Sequence, residues 1–194
     1  PPGSDPQLVD MAMAMKVPRT YPRPPSEWQE SEKAVYEKLL STGKFDVMVA
    51  PLQVQGWALD RSTRSAMAAE IAQSLEHSLK QHIADPHLVA RALGDGQRAI
   101  KPFDVYRLAD RLGVRRVVWG TVGHDGKGKM NLTFSSQDRV DSSSGTSPWA
   151  GPKVSKKFDN VAISDESPAI QVFESLLPDL LKGLGVPPLA PSLH

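Results

Sequence analysis

Helical and alternating hydrophobic patterns meet most legibly between Arg107 and Ser135, RLADRLGVRRVVWGTVGHDGKGKMNLTFS. Val105, Leu108, Ala109 and Leu112 recur at i, i+3, i+4 and i+7, Pro102 suits the first turn of that helix, and Gly113 ends it. Arg116 to Val122 reads as a strand. His124-Asp125-Gly126-Lys127-Gly128 then reads as a hairpin loop. In Lys129 to Ser135, Met130, Leu132 and Phe134 alternate with Asn131, Thr133 and Ser135, which predicts a strand with one buried and one wet face.

The remaining pattern fills in around this unit. Phe45 to Val54 (FDVMVAPLQV) is a nearly continuous apolar run, predicting a strand buried on both faces. A loop from Gln55 to Asp60 carries Trp57. A helix from about Ser62 to Ile83 places Met67, Ile71, Leu75 and Leu79 along one side, and His87 to Leu93 predicts a further strand closed by Gly94-Asp95-Gly96. Downstream, Asp138 to Gly151 is a Ser- and Gly-rich exposed loop containing Trp149, and Val154 to Phe158 a short strand. Ser167-Pro168 opens a last helix with Ile170, Phe173, Leu177, Leu181 and Leu184 inward, and Pro178 predicts a kink or a split. At the other end, Ser26 and Gln29 have capping-box spacing and start a helix reaching Gly43, with Trp28, Val35 and Leu39 inward.

These elements predict an α/β domain: a mixed sheet of about four to five strands with packed helices, over residues 26–186. Residues 1–25, dense in proline, read as an extended arm or linker, and residues 187–194 as a tail. No internal repeat is visible.

Charge narrows the functional classes. Among 194 residues, 23 Lys and Arg balance 22 Asp and Glu, so no global field favours nucleic acid or an anionic membrane. With no cysteine, thiolate catalysis, Cys-bound zinc and disulfides are excluded. No apolar run approaches the roughly 18 residues of a membrane span. The chain starts at Pro1-Pro2-Gly3 without a signal-peptide layout, which reads as a trimmed fragment, open to the loss of any export signal or anchor.

The search for reaction chemistry turns up turns rather than sites. His77, His82 and His87 stand five apart, about 140° from one another around a helix, so they do not share a face as an HExxH pair does. The glycines at 94–96 and 123–128 match neither phosphate-cradling pattern, and the second group joins two strands instead of opening a helix. No serine lies in a GxSxG elbow. The expectation is therefore a non-enzyme with no catalytic residue, cofactor or metal.

Aromatic and basic residues offer contact candidates. Val118, Gly120 and Val122 share one strand face, and Val117, Trp119 and Thr121 the other. If the helices cover the first face, Trp119 stands on the less covered one as an interface anchor; alternatively the N-terminal or last helix buries it. Trp57 and Trp149 read as contact residues or loop anchors. From Lys101 to Lys129, seven basic residues face three acids, a local net of +4 that includes Arg115 and Arg116. That cluster reads as a solvated face or, alternatively, a nucleic-acid patch.

Leu108 to Val122 (LADRLGVRRVVWGTV) resembles the stretch "IAxxLGVxYVLxGSV" of TolB N-terminal-like domains. Val47 to Leu52 is similar to that family's first strand "IAVLPF", Ala69-Glu70-Ile71 with Leu75 to its first helix, and Lys129 to Phe134 to its "RVxVxLxD" strand. The likeness covers about residues 45–180. It implies an anticodon-binding-like α/β fold and the non-catalytic protein contacts of TolB, LpoB-type synthase activators and FlgO-like flagellar proteins. The expected role is thus an interaction domain of a bacterial envelope protein, periplasmic or anchored at the outer membrane, with another envelope protein as partner and oligomeric state left open. Trp119, Trp57, Arg115 and Arg116 are its candidate contacts. The alternatives are a nucleic-acid-binding domain, or an accessory domain of a larger TPR or signalling protein. The chain departs from the family where Trp119 replaces a polar residue and Gln137-Asp138-Arg139-Val140 replaces the usual Asp-x-x-Thr-Gly.

Overall fold

A computed structural model describes Ala34 and residues 45–140 and 147–185. The arms at 1–25 and 187–194, and the expected helix from Ser26 to Gly43 apart from Ala34, lie outside the described residues. In chain order the elements are β1 (Val47–Val49), β2 (Gln53–Val54), α1 (Arg61–Leu79), α2 (Pro86–Leu93), α3 (Pro102–Leu112), β3 (Arg116–His124), β4 (Lys129–Asp138), β5 (Val154–Ala162) and α4 (Ala169–Gly183). The five strands make one mixed sheet in the order β1-β3-β4-β5, with β2 also paired to β3. β1 and β2 run parallel to β3, while β3–β4 and β4–β5 are antiparallel. The α/β class with packed helices is thus the observed one.

Two apolar layers result. Val118, Val122, Met130, Leu132 and Phe134 face α1 (Met67, Ile71, Leu75) and α4 (Phe173, Leu177, Leu180). On the opposite side, Met48 and Val117 pack with Val89 and Leu93 of α2, and Val105, Leu108 and Leu112 of α3. β1 feeds both layers, with Val47 and Val49 on one side and Met48 on the other, as a strand buried on both faces requires. The second layer reaches only the β1–β3 part of the sheet.

Three expectations need correction. The run from Phe45 to Val54 is not one strand: Ala50 to Leu52 span what Trp119 and Gly120 span on β3, one residue more, and Pro51 has no N–H to donate there. His87 to Leu93 is not a strand but lies in α2. Asp85 accepts the His87 N–H at 2.9 Å, Pro86 occupies the first turn, and Val89 and Leu93 face the core. Arg91 is buried as well, on a different side of the same helix. Finally, α1 stops at Leu79, where Lys80 turns left-handed (φ 51°), and Ile83 instead bridges Val47.

Other boundaries shift less. α3 is as expected, with Gly113 at φ 73° and the Val114 N–H bonded to the Ala109 carbonyl at 2.9 Å. β4 and β5 run three and four residues past their expected ends. α4 continues as one helix across the exposed Pro178. Phe173 and Leu180 of the helix and the capping Leu184 are fully buried, while Ile170 and Leu181 pack against the same core partly buried; Leu180 is the inward position absent from the expected stripe.

Candidate functional site

The sheet face bearing Trp119 changes character along its length. Near β1 it is closed by α3 and by the segment around Trp149, and the junction is organised by Gln137. This residue lies within β4 on the same face as Val117, its cross-strand partner, and is almost wholly buried (2% exposed). Its side-chain oxygen accepts the Tyr106 hydroxyl at 3.0 Å and the Trp119 indole N–H at 3.1 Å. Its amide donates to the Trp149 carbonyl at 2.6 Å and more weakly to that of Gly151 at 3.5 Å. One amide thereby ties α3, β3 and the 147–151 segment together with both of its polar ends engaged.

Ring contacts complete the cluster. Tyr106 meets Trp119 edge-on, with centroids 5.5 Å apart at 79°, and stacks on Trp149 at 5.4 Å and 10°. The Trp149 indole donates to Asp110 at 3.0 Å, and Asp110 also pairs with Arg139. Trp149 is buried, so it is a loop anchor. Lys153 places its ammonium 4.5 Å from the centre of the Trp119 ring. Trp119 is consequently half-buried and held on three sides by Tyr106, Gln137 and Lys153. α4 does not do the covering, since it packs on the opposite face, and the expected N-terminal helix lies outside the described residues.

Past Trp119 the same face opens. Thr121, Thr133, Ser135 and Ser155 follow, all polar and none buried, with Lys157 exposed opposite Thr133. Short hydroxyl side chains keep this area flat. Ser135 and Ser155 hydrogen-bond each other at 2.9 Å, and Thr121 donates to Gln55 at 3.1 Å. The outer strand β5 carries the devices that keep an edge from pairing indiscriminately. These are Lys156 and Lys157, and a bulge where Asp159 and Asn160 stand against Asn131, with Asn160 at φ 55° and its N–H on the Asn131 side chain at 3.0 Å.

The other candidate contacts are not gathered here. Trp57 pairs with His124 at the far end of β3, five residues or roughly 17 Å from Trp119 along the strand. It is 66% exposed, edge-on to His124 with ring centroids 6.0 Å apart, and lies over Gly126. Arg116 begins β3, by alternation on the Val118 side, and is forked onto Asp138 at 2.7 and 3.3 Å. Arg115 is exposed just before it.

The basic cluster is likewise dispersed. Arg107 pairs with Asp104 at 3.7 Å and lies over Phe103, whereas Lys127 and Lys129 close the opposite hairpin, their N–H groups on Asp125. The sequence marks Trp119 and Trp149 as aromatic candidates and Gln137 as a departure from the family pattern, but nothing in it gathers them with Tyr106 and Lys153 into one site. No protein-family model and no curated protein matches the chain.

Proposed function

We propose that this chain is a non-catalytic protein-interaction domain of the TolB N-terminal-like kind, carried by a bacterial envelope protein and docking through the open face of β3, β4 and β5. The observation that carries the reading is the change along one sheet face, from the sealed Gln137 cluster to the flat hydroxyl surface of Thr121, Thr133, Ser135 and Ser155. A partner laid on that surface meets hydrogen-bonding groups held on rigid strands and, at one border, the Lys153-capped Trp119. The separation of Arg107 and Arg116 from Lys127 and Lys129, and the pairing of the first two with carboxylates, favours a protein partner over nucleic acid.

The test is retention of envelope proteins by the immobilised 194-residue chain. Thr133→Arg with Ser135→Arg, which raises two long cations from the open face, should abolish retention of a specific protein. Glu76→Arg, on the exposed side of α1, should leave it intact. Equal retention by all three chains would refute the docking face.

A further inference from the structure

At the opposite edge of the sheet, beside β1, a cleft of about 270 Å³ opens between the first turns of α1 and α2 and the β1–β2 connection. Its apolar wall is Val49, Leu52 and Ala68, and its polar wall includes Arg61, Arg64, His87 and Arg91, with Asp85 and Asp95 the lining acids. Asp85 is engaged in capping α2, and Asp95 accepts the Gln97 N–H at 3.0 Å and lies 3.7 Å from Arg61. Both helices direct the positive ends of their dipoles at this space.

Arg64 is the informative residue. It is only 4% exposed. Its guanidinium donates to the Leu59 carbonyl at 3.1 Å, to the Asp95 backbone carbonyl, and to the Gln97 amide oxygen at 3.2 Å. None of these acceptors is a carboxylate, so a buried cation is solvated by neutral dipoles where a paired anion would stabilise it far more. Burial accordingly pulls its pKa below the usual guanidinium value, against the opposing charge of Asp95. Arg91 and the His87 Nε2 lie 3.2 Å apart on the same wall.

We infer that this cleft binds a small organic oxyanion, a single carboxylate or phosphate on a compact apolar body, its head against Arg61 and Arg64 and its body against Val49, Leu52 and Ala68. The volume sits just under that of ordinary small-molecule pockets, and the arginine wall facing an aliphatic one is the arrangement such a ligand requires. This inference is independent of the docking face, which lies across β3 toward β5.

The experiment is an amide chemical-shift titration of the ¹⁵N-labelled full chain with benzoate, phenyl phosphate and inorganic phosphate, and with benzyl alcohol as the uncharged probe. Saturable shifts centred on Arg61, Ser65 and Ala90 with benzoate or phenyl phosphate support the site, and the tighter of the two identifies the headgroup. Arg61→Gln should weaken that binding at least about tenfold. Ser65→Glu, at an exposed position on the cleft wall, should abolish it while leaving the spectrum elsewhere unchanged. Absence of saturable shifts with both organic anions, benzyl alcohol or inorganic phosphate binding as tightly as they do, or unchanged affinity in the folded Arg61→Gln chain would each overturn the proposal.

Discussion

The Gln137 side-chain oxygen accepts the Trp119 indole N–H at 3.1 Å while also accepting the Tyr106 hydroxyl, so one buried acceptor fixes two aromatic rings from different elements. Replacing Gln137 with Leu would leave the Tyr106 hydroxyl, the Trp119 N–H and the Trp149 carbonyl without that partner. Orphaned groups of this kind cost about 1–3 kcal/mol each when fully buried, and Trp119 and Tyr106 are only half-buried. Urea denaturation should therefore show a loss of about 2–4 kcal/mol for Gln137→Leu. Trp119→Phe, which leaves Tyr106 to satisfy Gln137, should lose less.

Gly123 and Gly113 should respond very differently to alanine. A Cβ on Gly123 would fall 1.5 Å from the Gln55 carbonyl oxygen, a backbone atom of the adjoining edge. Gly123→Ala must push that edge off β3, and we expect more than about 4 kcal/mol of destabilisation, the range reserved for severe backbone or packing faults. Gly113 has open space around it and only its φ of 73° to disfavour a side chain, so Gly113→Ala should cost about 1 kcal/mol. Thermal melts of the two variants check the contrast.

Phe173 joins α4 to the sheet through Phe134, with ring centroids 5.8 Å apart and both side chains fully buried. Phe173→Ala should cost about 3–5 kcal/mol by equilibrium denaturation. The loss should exceed that of Leu181→Ala, because Leu181 is only partly buried.

Among the described residues, two carboxylates contribute to the acid side of the stability profile. The Asp60 carboxyl is held below its ordinary 3.8 chiefly by the Thr63 hydrogen bond at the start of α1, and Asp125 likewise by the Lys127 N–H in the hairpin. A folded-state pKa below the unfolded one gives stability that is complete above the unfolded value and lost as pH falls through the folded one. Stability should thus decline below about pH 4. Asp60→Ala should remove about 1 kcal/mol at pH 7 and flatten that decline, as denaturation midpoints at pH 7 and pH 3 would show.

Where sequence pattern coincided with simple geometry, the fold was legible. The clean alternation of Met130, Leu132 and Phe134 and the helical stripe through Leu108 and Leu112 each had one burial solution. α2 was misread because its eight residues are too short for a helical period to separate from a strand, and the Asp85-Pro86 cap was passed over. The Pro51 bulge was hidden because an apolar run does not disclose an extra residue. The role of Gln137 was hidden for a related reason: the expected strand stopped at Ser135, and only the approach of Tyr106 and the Trp149 carbonyl gives this glutamine buried partners. The Arg64 wall followed the same rule, since its acceptors, Leu59, Asp95 and Gln97, are set by tertiary folding.

The proposed docking face is tested most directly by a photo-activated cross-linking residue placed at Ser135 and, separately, at Glu76 on the far side of the domain, in cells that natively express the chain. The account requires a discrete heterologous adduct from position 135 that is lost when Thr133→Arg is added, and none of the same mass from position 76. An adduct from position 76 with none from 135 would contradict it.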